Sequence, residues 1–130
     1  MQVEYREVPM LARWQHSNPH RPAPPDLGSG QIRSWECRID SSTVGHCSGN
    51  ARTGQVLGLM VEHGHEGKGI GTQLLSLVVS WLRAEQVKRL WLEAPLSPQP
   101  RARRFYQSRG WVSTGRRVGT EMEIFELRNE

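Results

Sequence analysis

Residues 56–82, VLGLMVEHGHEGKGIGTQLLSLVVSWL, constrain the fold of this chain more than any other stretch. The apolar run at 56–61 is too short for a buried helix and predicts a β-strand. Glycines follow at positions 64, 67, 69 and 71, and glycine at this density supplies positive φ angles or close approach of the backbone. From position 70 onward, apolar residues recur at helical spacing with polar residues on the other side. The stretch therefore predicts a strand, a tight turn and an amphipathic helix.

A turn of this kind predicts a binding site for an anion. Backbone N–H groups point outward at the start of a helix, where the macrodipole adds roughly half a positive charge. The glycines let a phosphate approach the backbone, and Lys68 adds a cation. Gly67-Lys68-Gly69 lacks the Ser or Thr that ends a Walker A loop, and the glycine spacing does not fit the dinucleotide fingerprint. A different phosphorylated ligand is therefore expected.

Two blocks of sequence resemble a single family. Residues 66–71, Glu-Gly-Lys-Gly-Ile-Gly, followed by Thr-Gln-Leu-Leu, are similar to the acetyl-coenzyme A loop Arg/Gln-x-x-Gly-x-Gly/Ala of the GNAT superfamily of N-acetyltransferases. Residues 99–111 resemble the family's later segment Asn-x-x-Ala-x-x-Phe-Tyr-x-x-x-Gly-Phe. The ordered pair covers a little over half of the chain. Glu66 replaces the family's Arg or Gln, and Gln99 replaces its Asn.

The resemblance implies an α+β fold of the three-layer α/β type, as one domain over residues 1–130. Its mixed, mostly antiparallel central sheet would be flanked by helices and splayed at two parallel strands. Five prolines lie within residues 9–30, where the family normally has two helices, so a shortened Pro-rich N-terminal helical region is expected, with one or two helical turns at 10–14. Independently, alternating patterns and polar turns predict strands at 2–8, 31–39, 43–49, 55–62, 89–94, 111–118 and 121–127, and a second helix at 101–108.

The resemblance also implies acetyl-coenzyme A as the co-substrate and a primary amine as the acceptor. The strand residues 59–61 would hold the pantetheine arm, and the loop that follows would hold the pyrophosphate. The residues expected to bind the coenzyme are Leu59, Met60, Val61, Glu66, Gly67, Lys68, Gly69, Ile70, Gly71, Thr72, Gln99 and Tyr106. Tyr106 is also the candidate general acid, because a phenol can protonate a departing thiolate.

The general base is less sharply indicated. Glu62, at the end of the strand, is the best placed and is the predicted catalytic base. The imidazoles of His63 and His65 have suitable unperturbed pKa values. Glu36 and His46, on neighbouring strands, and an ordered water relay are left open as alternatives.

Composition excludes several other classes of protein. No run of 18 apolar residues predicts a membrane span, and residues 1–11 contain no apolar segment typical of a secretory signal, so a cytoplasmic protein is expected. Cys37 and Cys47 are expected to be free, and no spacing of His and Cys predicts a metal site. The net charge is +4, with arginines gathered at 101–117, but the aromatic residues among them do not form an obvious stacking platform for nucleic acid.

The favoured function is therefore N-acetylation of a small-molecule amine, with no nucleic acid, membrane or metal partner expected. Lysine or N-terminal acetylation of a protein is the alternative, as is an acetyl-coenzyme A-binding module without turnover. A basic nucleic-acid-binding protein is a further hypothesis from another class. An exposed end of the sheet makes a homodimer plausible.

Overall fold

The computed structural model describes residues 2–9, 18–22, 31–96 and 100–128. Within these ranges the elements follow in the order β1 (Val3–Val8), β2 (Ile32–Ile39), β3 (Ser42–Asn50), β4 (Val56–Val61), α1 (Ile70–Ala84), β5 (Trp91–Pro95), α2 (Pro100–Gln107), β6 (Trp111–Val118) and β7 (Met122–Leu127). The chain divides into two compact units, Met1–Val87 and Lys88–Glu130.

The first unit is a four-stranded antiparallel sheet in the order β1-β2-β3-β4, with α1 packed on one face. Two glycines of β3 allow this close packing. A Cβ atom at Gly49 would lie 2.6 Å from Cγ1 of Val78, and one at Gly45 would lie 3.2 Å from Cγ2 of Ile70. The helix can therefore pack closely on the sheet, because β3 has no side chain at the points of contact. The helix buries Ile70, Leu74, Leu75, Val78, Trp81 and Leu82.

The hairpin between β2 and β3 turns at two residues with positive φ, Asp40 at 50° and Ser41 at 73°. Positive φ at both central positions is the geometry of the turns that match the twist of two-residue hairpins. The backbone N–H of Gln2 donates to Oδ1 of Asp40 at 3.0 Å, so the turn is tied to the start of the first strand. A turn between the strands predicted at 31–39 and 43–49 is therefore confirmed, although Ser42 already belongs to β3.

The second unit is a three-stranded antiparallel sheet in the order β5-β7-β6, and α2 contacts β5 and β6. Gly110, with φ of 90°, follows the helix, as its position in the sequence predicted. Along β6, the four steps from Ser113 to Arg117 oppose only two steps of β7. This irregular edge is less suited to pairing with another strand than a flat one would be.

The α+β class and the antiparallel character of the strands are confirmed. The described strands pair into two separate sheets, and β4 and β5, which were expected to be parallel and splayed, each lie at an edge of their own sheet. The fifth strand begins at Trp91, not at position 89 as predicted, because its pairing with β7 starts at Trp91 opposite Glu126. The side chain of Arg89 instead forms an ion pair with Glu126.

Some predictions lie outside the described residues. The helical turns expected at 10–14, most of the Pro-rich region 9–30 and the coenzyme-binding residue Gln99 are among them. The single domain over 1–130 stays a prediction.

Candidate functional site

The strand before the glycine loop is an edge strand with a bulge. His46 of β3 pairs with Met60 of β4, whereas Ser48 pairs with Leu57, so three steps along β4 oppose two steps along β3. The extra residue falls beside Gly58, whose φ is 59°. A bulge leaves backbone groups outside the ladder and re-aims the side chains around it. The backbone near the predicted pantetheine-binding residues 59–61 is therefore available to a ligand.

Gly58 was missed by the sequence reasoning, although a signal for it existed. A glycine inside an otherwise apolar strand pattern indicates a bulge or a close approach of another backbone or ligand.

The loop after β4 turns sharply on glycines. The N–H of Glu62 donates to the carbonyl of Val44 at 2.8 Å, which fixes the start of the loop against β3. Gly64, Gly67 and Gly69 have φ angles of 94°, 79° and 83°. A Cβ atom built on any of the three would meet no heavy atom within 4 Å. The loop therefore presents its backbone to open space, as a phosphate cradle requires.

The loop leads directly into the N-terminus of α1. Gly69 is the N-cap residue in a left-handed conformation, no side chain caps the helix, and no acidic residue occupies its first turn. Gly67 and Gly69, which have positive φ, alternate with Lys68, which does not, and such alternation forms an anion-binding concavity of N–H groups. The exposed ammonium of Lys68 and the helix dipole add positive potential there. The arrangement fits a pyrophosphate.

The predicted loop residues 66–72 are therefore brought together at the start of α1, as expected from sequence. Glu66 is exposed within the same loop, where its carboxylate opposes binding of an anion. Ile70 is buried under the helix, so it shapes the loop by packing and can offer a ligand only its backbone.

Tyr106 lies on α2 in the second unit. Its half-buried ring packs edge-on against Phe105, with centroids 5.4 Å apart, and against Trp111, with centroids 6.3 Å apart. The helix itself is anchored because Nη1 of Arg103 donates to Oε1 of Glu123 at 2.5 Å. This hydrogen bond lowers the pKa of the Glu123 carboxyl, against the opposing effect of burial.

The arginines of the second unit are partly engaged within it. Arg103 lies over the ring of Phe125 at 5.1 Å, in addition to its pair with Glu123. Arg109 lies over the ring of Phe105 at 3.8 Å and donates to the Phe105 carbonyl. These two side chains support α2 structurally and do not form a bare cationic surface.

The candidate bases occupy different environments. The carboxylate of Glu62 and the imidazole of His63 are exposed in the loop. His65 is half-buried, and its Nδ1 atom is shielded from water without a hydrogen-bond partner. Glu36 is only 4% exposed, although it is charged, and His46 beside it is half-buried.

Both cysteines are free and buried, which confirms the prediction of free thiols. Burial raises the pKa of the Cys47 thiol to about 12 and also raises that of Cys37, which hydrogen-bonds with Tyr5. The thiolate is the nucleophilic form, so neither cysteine is suited to form a covalent acyl intermediate.

Two further structural findings concern partners. The described ranges contain no group of three or more His, Cys, Asp or Glu side chains that could hold a metal ion. Neither helix in the described part of the chain is long and apolar enough to cross a membrane.

Comparison with solved structures identifies the fold. The chain is similar to an IAA acetyltransferase from Bacillus cereus, with a TM-score of 0.74 and 15% identity over 97% of this chain and 99% of the other. It is similar to an acetyltransferase from Streptococcus agalactiae, with a TM-score of 0.73 and 14% identity over 98% of each chain. A PaiA N-acetyltransferase from Thermoplasma acidophilum, solved in complex with coenzyme A, gives a TM-score of 0.72 and 14% identity over 99% of this chain and 100% of the other.

No curated protein matches the chain by sequence. The sequence model of the Acetyltransferase (GNAT) family, however, matches residues 3–111, which include the bulged strand, the glycine loop and α2. That match extends over most of the chain and agrees with the fold shared with the three acetyltransferase structures. The chain belongs to the GNAT family of acetyltransferases.

Proposed function

We propose that this protein transfers the acetyl group of acetyl-coenzyme A to a primary amine, most readily that of a small molecule, by direct transfer in a ternary complex. One observation carries the proposal. The uncapped N-terminus of α1, lined by Gly67 and Gly69 with open space beside them, directly follows a bulged edge strand. This combination offers an anion cradle and free backbone groups next to each other, which is what a long pyrophosphate-containing thioester needs.

Each part of the coenzyme has residues to hold it. The loop residues 67–72 would bind the pyrophosphate through backbone N–H groups, with the ammonium of Lys68 beside them. The backbone of Leu59, Met60 and Val61 would bind the pantetheine arm, since β4 is an edge of its sheet. Gln99 would lie at the thiol end by its match to the family motif. The Thermoplasma neighbour was solved with coenzyme A, which supports this ligand.

The chemistry requires alignment and two proton transfers. Bound side by side, the amine and the thioester react without an enzyme nucleophile, because alignment alone lowers the barrier. Tyr106 would donate a proton to the leaving thiolate. The base that takes the proton from the ammonium would be Glu62, by its place at the end of β4, or His46, which lies on β3 beside Gly58.

A second candidate function is binding of acetyl-coenzyme A without turnover. Glu66 favours it, because a carboxylate replaces the family's Arg or Gln in the loop and opposes a pyrophosphate. A protein acceptor, through lysine or an N-terminal amine, is the alternative to a small amine.

We further propose that the enzyme is cytoplasmic, since free thiols fit a reducing compartment. We also propose that it forms one domain over 1–130 and functions as a homodimer.

The first experiment is calorimetric titration of acetyl-coenzyme A into the wild type, Gly69→Trp and Gly119→Trp. Both glycines have positive φ and open space beside them, so both substitutions introduce similar backbone strain. Gly119 lies in the turn between β6 and β7, away from the loop in sequence. We expect saturable binding to the wild type and to Gly119→Trp and none to Gly69→Trp.

Turnover is then measured by detecting the released thiol with spermidine, tyramine, glucosamine and a lysine-containing peptide as acceptors. Release with a small amine supports the favoured function, and release with the peptide alone supports a protein acceptor. Coenzyme binding with no release for any acceptor would favour the module without turnover. Absence of coenzyme binding at millimolar concentration would disprove all three.

A further inference from the structure

A row of side chains crosses the four-stranded sheet on the face opposite α1. Arg6 pairs with Glu36, Glu36 with His46, and His46 with Met60, in strands β1 to β4. Directly paired residues in antiparallel strands present their side chains on the same face. Gly45 faces α1, so His46 and the row that contains it point away from the helix, because side chains alternate along a strand.

The carboxylate in this row is buried and held in place. Glu36 is 4% exposed, and its two carboxylate oxygens lie 3.2 and 3.4 Å from the donating hydroxyl of Thr43. Nε of Arg6 lies 3.8 Å from Oε2 of Glu36. A buried charge is retained only when it is paired, and Thr43 and Arg6 pair this carboxylate. The next residue of the row is His46, whose Cβ atom should lie about 5 Å from that of Glu36.

The imidazole of His46 lies at the bulge. Its Cε1 atom is 4.0 Å from the position that a Cβ atom of Gly58 would occupy, so the glycine leaves room beside the ring. On the same strand as Gly58 it neighbours Met60, which is 58% exposed. His46 is half-buried and lies between Glu36 of β2 and Met60 of β4 in the row.

We propose that His46 accepts the proton released by the ammonium group of the acceptor and that Glu36 is the positioning residue that holds the ring for this step. The proposal rests on the proposed function. One proton passes from the ammonium nitrogen to the imidazole, and the neutral amine then forms the N–C bond as the C–S bond of the thioester breaks. The second proton passes from nitrogen to the sulfur by way of the general acid, and the imidazolium releases its proton to solvent.

Residue type favours His46 over Glu62 for this role. A proton acceptor is most effective when its pKa is close to the working pH, and imidazole as a side-chain type meets this condition better than a carboxylate. Among the described residues, β2 presents Glu36 to His46 with Arg6 behind it, and β4 presents Met60 and Gly58, which do not titrate. The charge that acts on the ring from these strands is therefore a carboxylate partly balanced by a guanidinium.

The test measures kcat against pH with the fastest amine of the acceptor panel, for the wild type, His46→Gln, Glu36→Gln and His20→Gln. His20 is an exposed histidine in the described segment 18–22 and serves as the matched control. We expect His46→Gln to lower kcat by at least about 100-fold and to remove the acidic limb of the profile. Glu36→Gln should keep the limb but move it to lower pH by about one unit, because the carboxylate favours the imidazolium. His20→Gln should match the wild type.

Two measurements separate a proton-transfer role from a structural one. Acetyl-coenzyme A affinity, measured by calorimetry, should be the same in all four proteins. In His46→Ala, added imidazole should restore part of kcat, because the small residue and Gly58 leave space for it, and imidazole should not accelerate the wild type.

The proposal is overturned if His46→Gln binds the coenzyme and keeps the acidic limb, or if Glu62→Gln alone removes it. It is also overturned if imidazole fails to rescue a folded, coenzyme-binding His46→Ala variant. A wild type that releases no thiol with any amine would refute the proposed function itself, and this role of His46 with it.

Discussion

At the scale of single residues, glycines determine both the packing and the openness of the candidate site. In β3 they are needed because α1 would collide with a side chain, whereas in the loop they are needed because the backbone has positive φ and faces open space. The glycines of β3 are required for packing of the core, whereas those of the loop are required for binding of a ligand. Substitutions at the two kinds of glycine should therefore fail in different ways.

Gly49→Ala and Gly45→Ala form a matched pair that tests this distinction within one strand. The new methyl group at position 49 would lie 2.6 Å from Val78, so we expect the free energy of unfolding to fall by about 1–3 kcal/mol with little change in coenzyme affinity. At position 45 the contacts are 3.0 Å to the carbonyl of Met60 and 3.2 Å to Ile70, which begins α1. We expect a smaller loss of stability there and about tenfold weaker binding of acetyl-coenzyme A.

Urea unfolding and calorimetry on the two variants check this prediction. Equal effects of the two substitutions on both quantities would mean that the position of α1 on the sheet does not govern the loop.

At the scale of elements, one ion pair anchors α2 to its sheet. Arg103 and Glu123 have side chains that are 27% and 11% exposed, so the pair is partly screened by solvent. Arg103→Ala would remove the main donor to a mostly buried carboxylate, which keeps a hydrogen bond with Ser113, and we expect a loss of about 1–2 kcal/mol in the free energy of unfolding at pH 7. Arg104→Ala, an exposed arginine on the same helix, is the control and should change stability by less than about 0.5 kcal/mol.

The effect of the pair should depend on pH with a definite sign. The pKa of Glu123 is lowered in the folded protein, chiefly by the hydrogen bond from Arg103. Its stabilising contribution is therefore present above the unfolded value, about 4.3, and is lost as the pH falls through the lower folded value. Urea unfolding from pH 7 to pH 3 should show that the difference in free energy of unfolding between wild type and Arg103→Ala becomes smaller as the pH falls. A difference in free energy of unfolding that does not change with pH would contradict a stabilising role for the ionised carboxylate of Glu123.

The elements also show what sequence patterns could and could not predict. Strands β2, β3 and β7 and helix α1 were predicted within a few residues, because alternation and helical spacing are local properties. The bulge in β4 was not predicted, since it depends on the register with β3. The near-complete burial of Glu36 was not predicted either, because alternation assigns a residue to a face but does not say what covers that face. Gln99 lies outside the described residues, so its predicted role remains a prediction.

At the scale of the whole molecule, the residues proposed for the reaction are divided between the two compact units. The coenzyme loop and His46 belong to the first unit, and Tyr106 belongs to the second. Cys37 and Cys47, whose thiols could in principle carry an acetyl group between two half-reactions, are buried, and burial raises the pKa of each. Neither thiol is therefore suited to carry the acetyl group, and the proposed direct transfer requires both substrates to be bound at once.

The kinetic pattern should therefore be sequential. Initial rates measured with varied acetyl-coenzyme A at several fixed concentrations of the amine should give double-reciprocal lines that intersect, because both substrates must be bound before the acetyl group moves. Mass spectrometry of the protein after incubation with acetyl-coenzyme A alone should show the unmodified mass, and Cys47→Ala should keep the wild-type kcat, since a neutral buried thiol takes no part. Parallel lines together with an acetylated protein would instead establish a covalent intermediate, and loss of that acetyl group in Cys37→Ala or Cys47→Ala would identify its carrier.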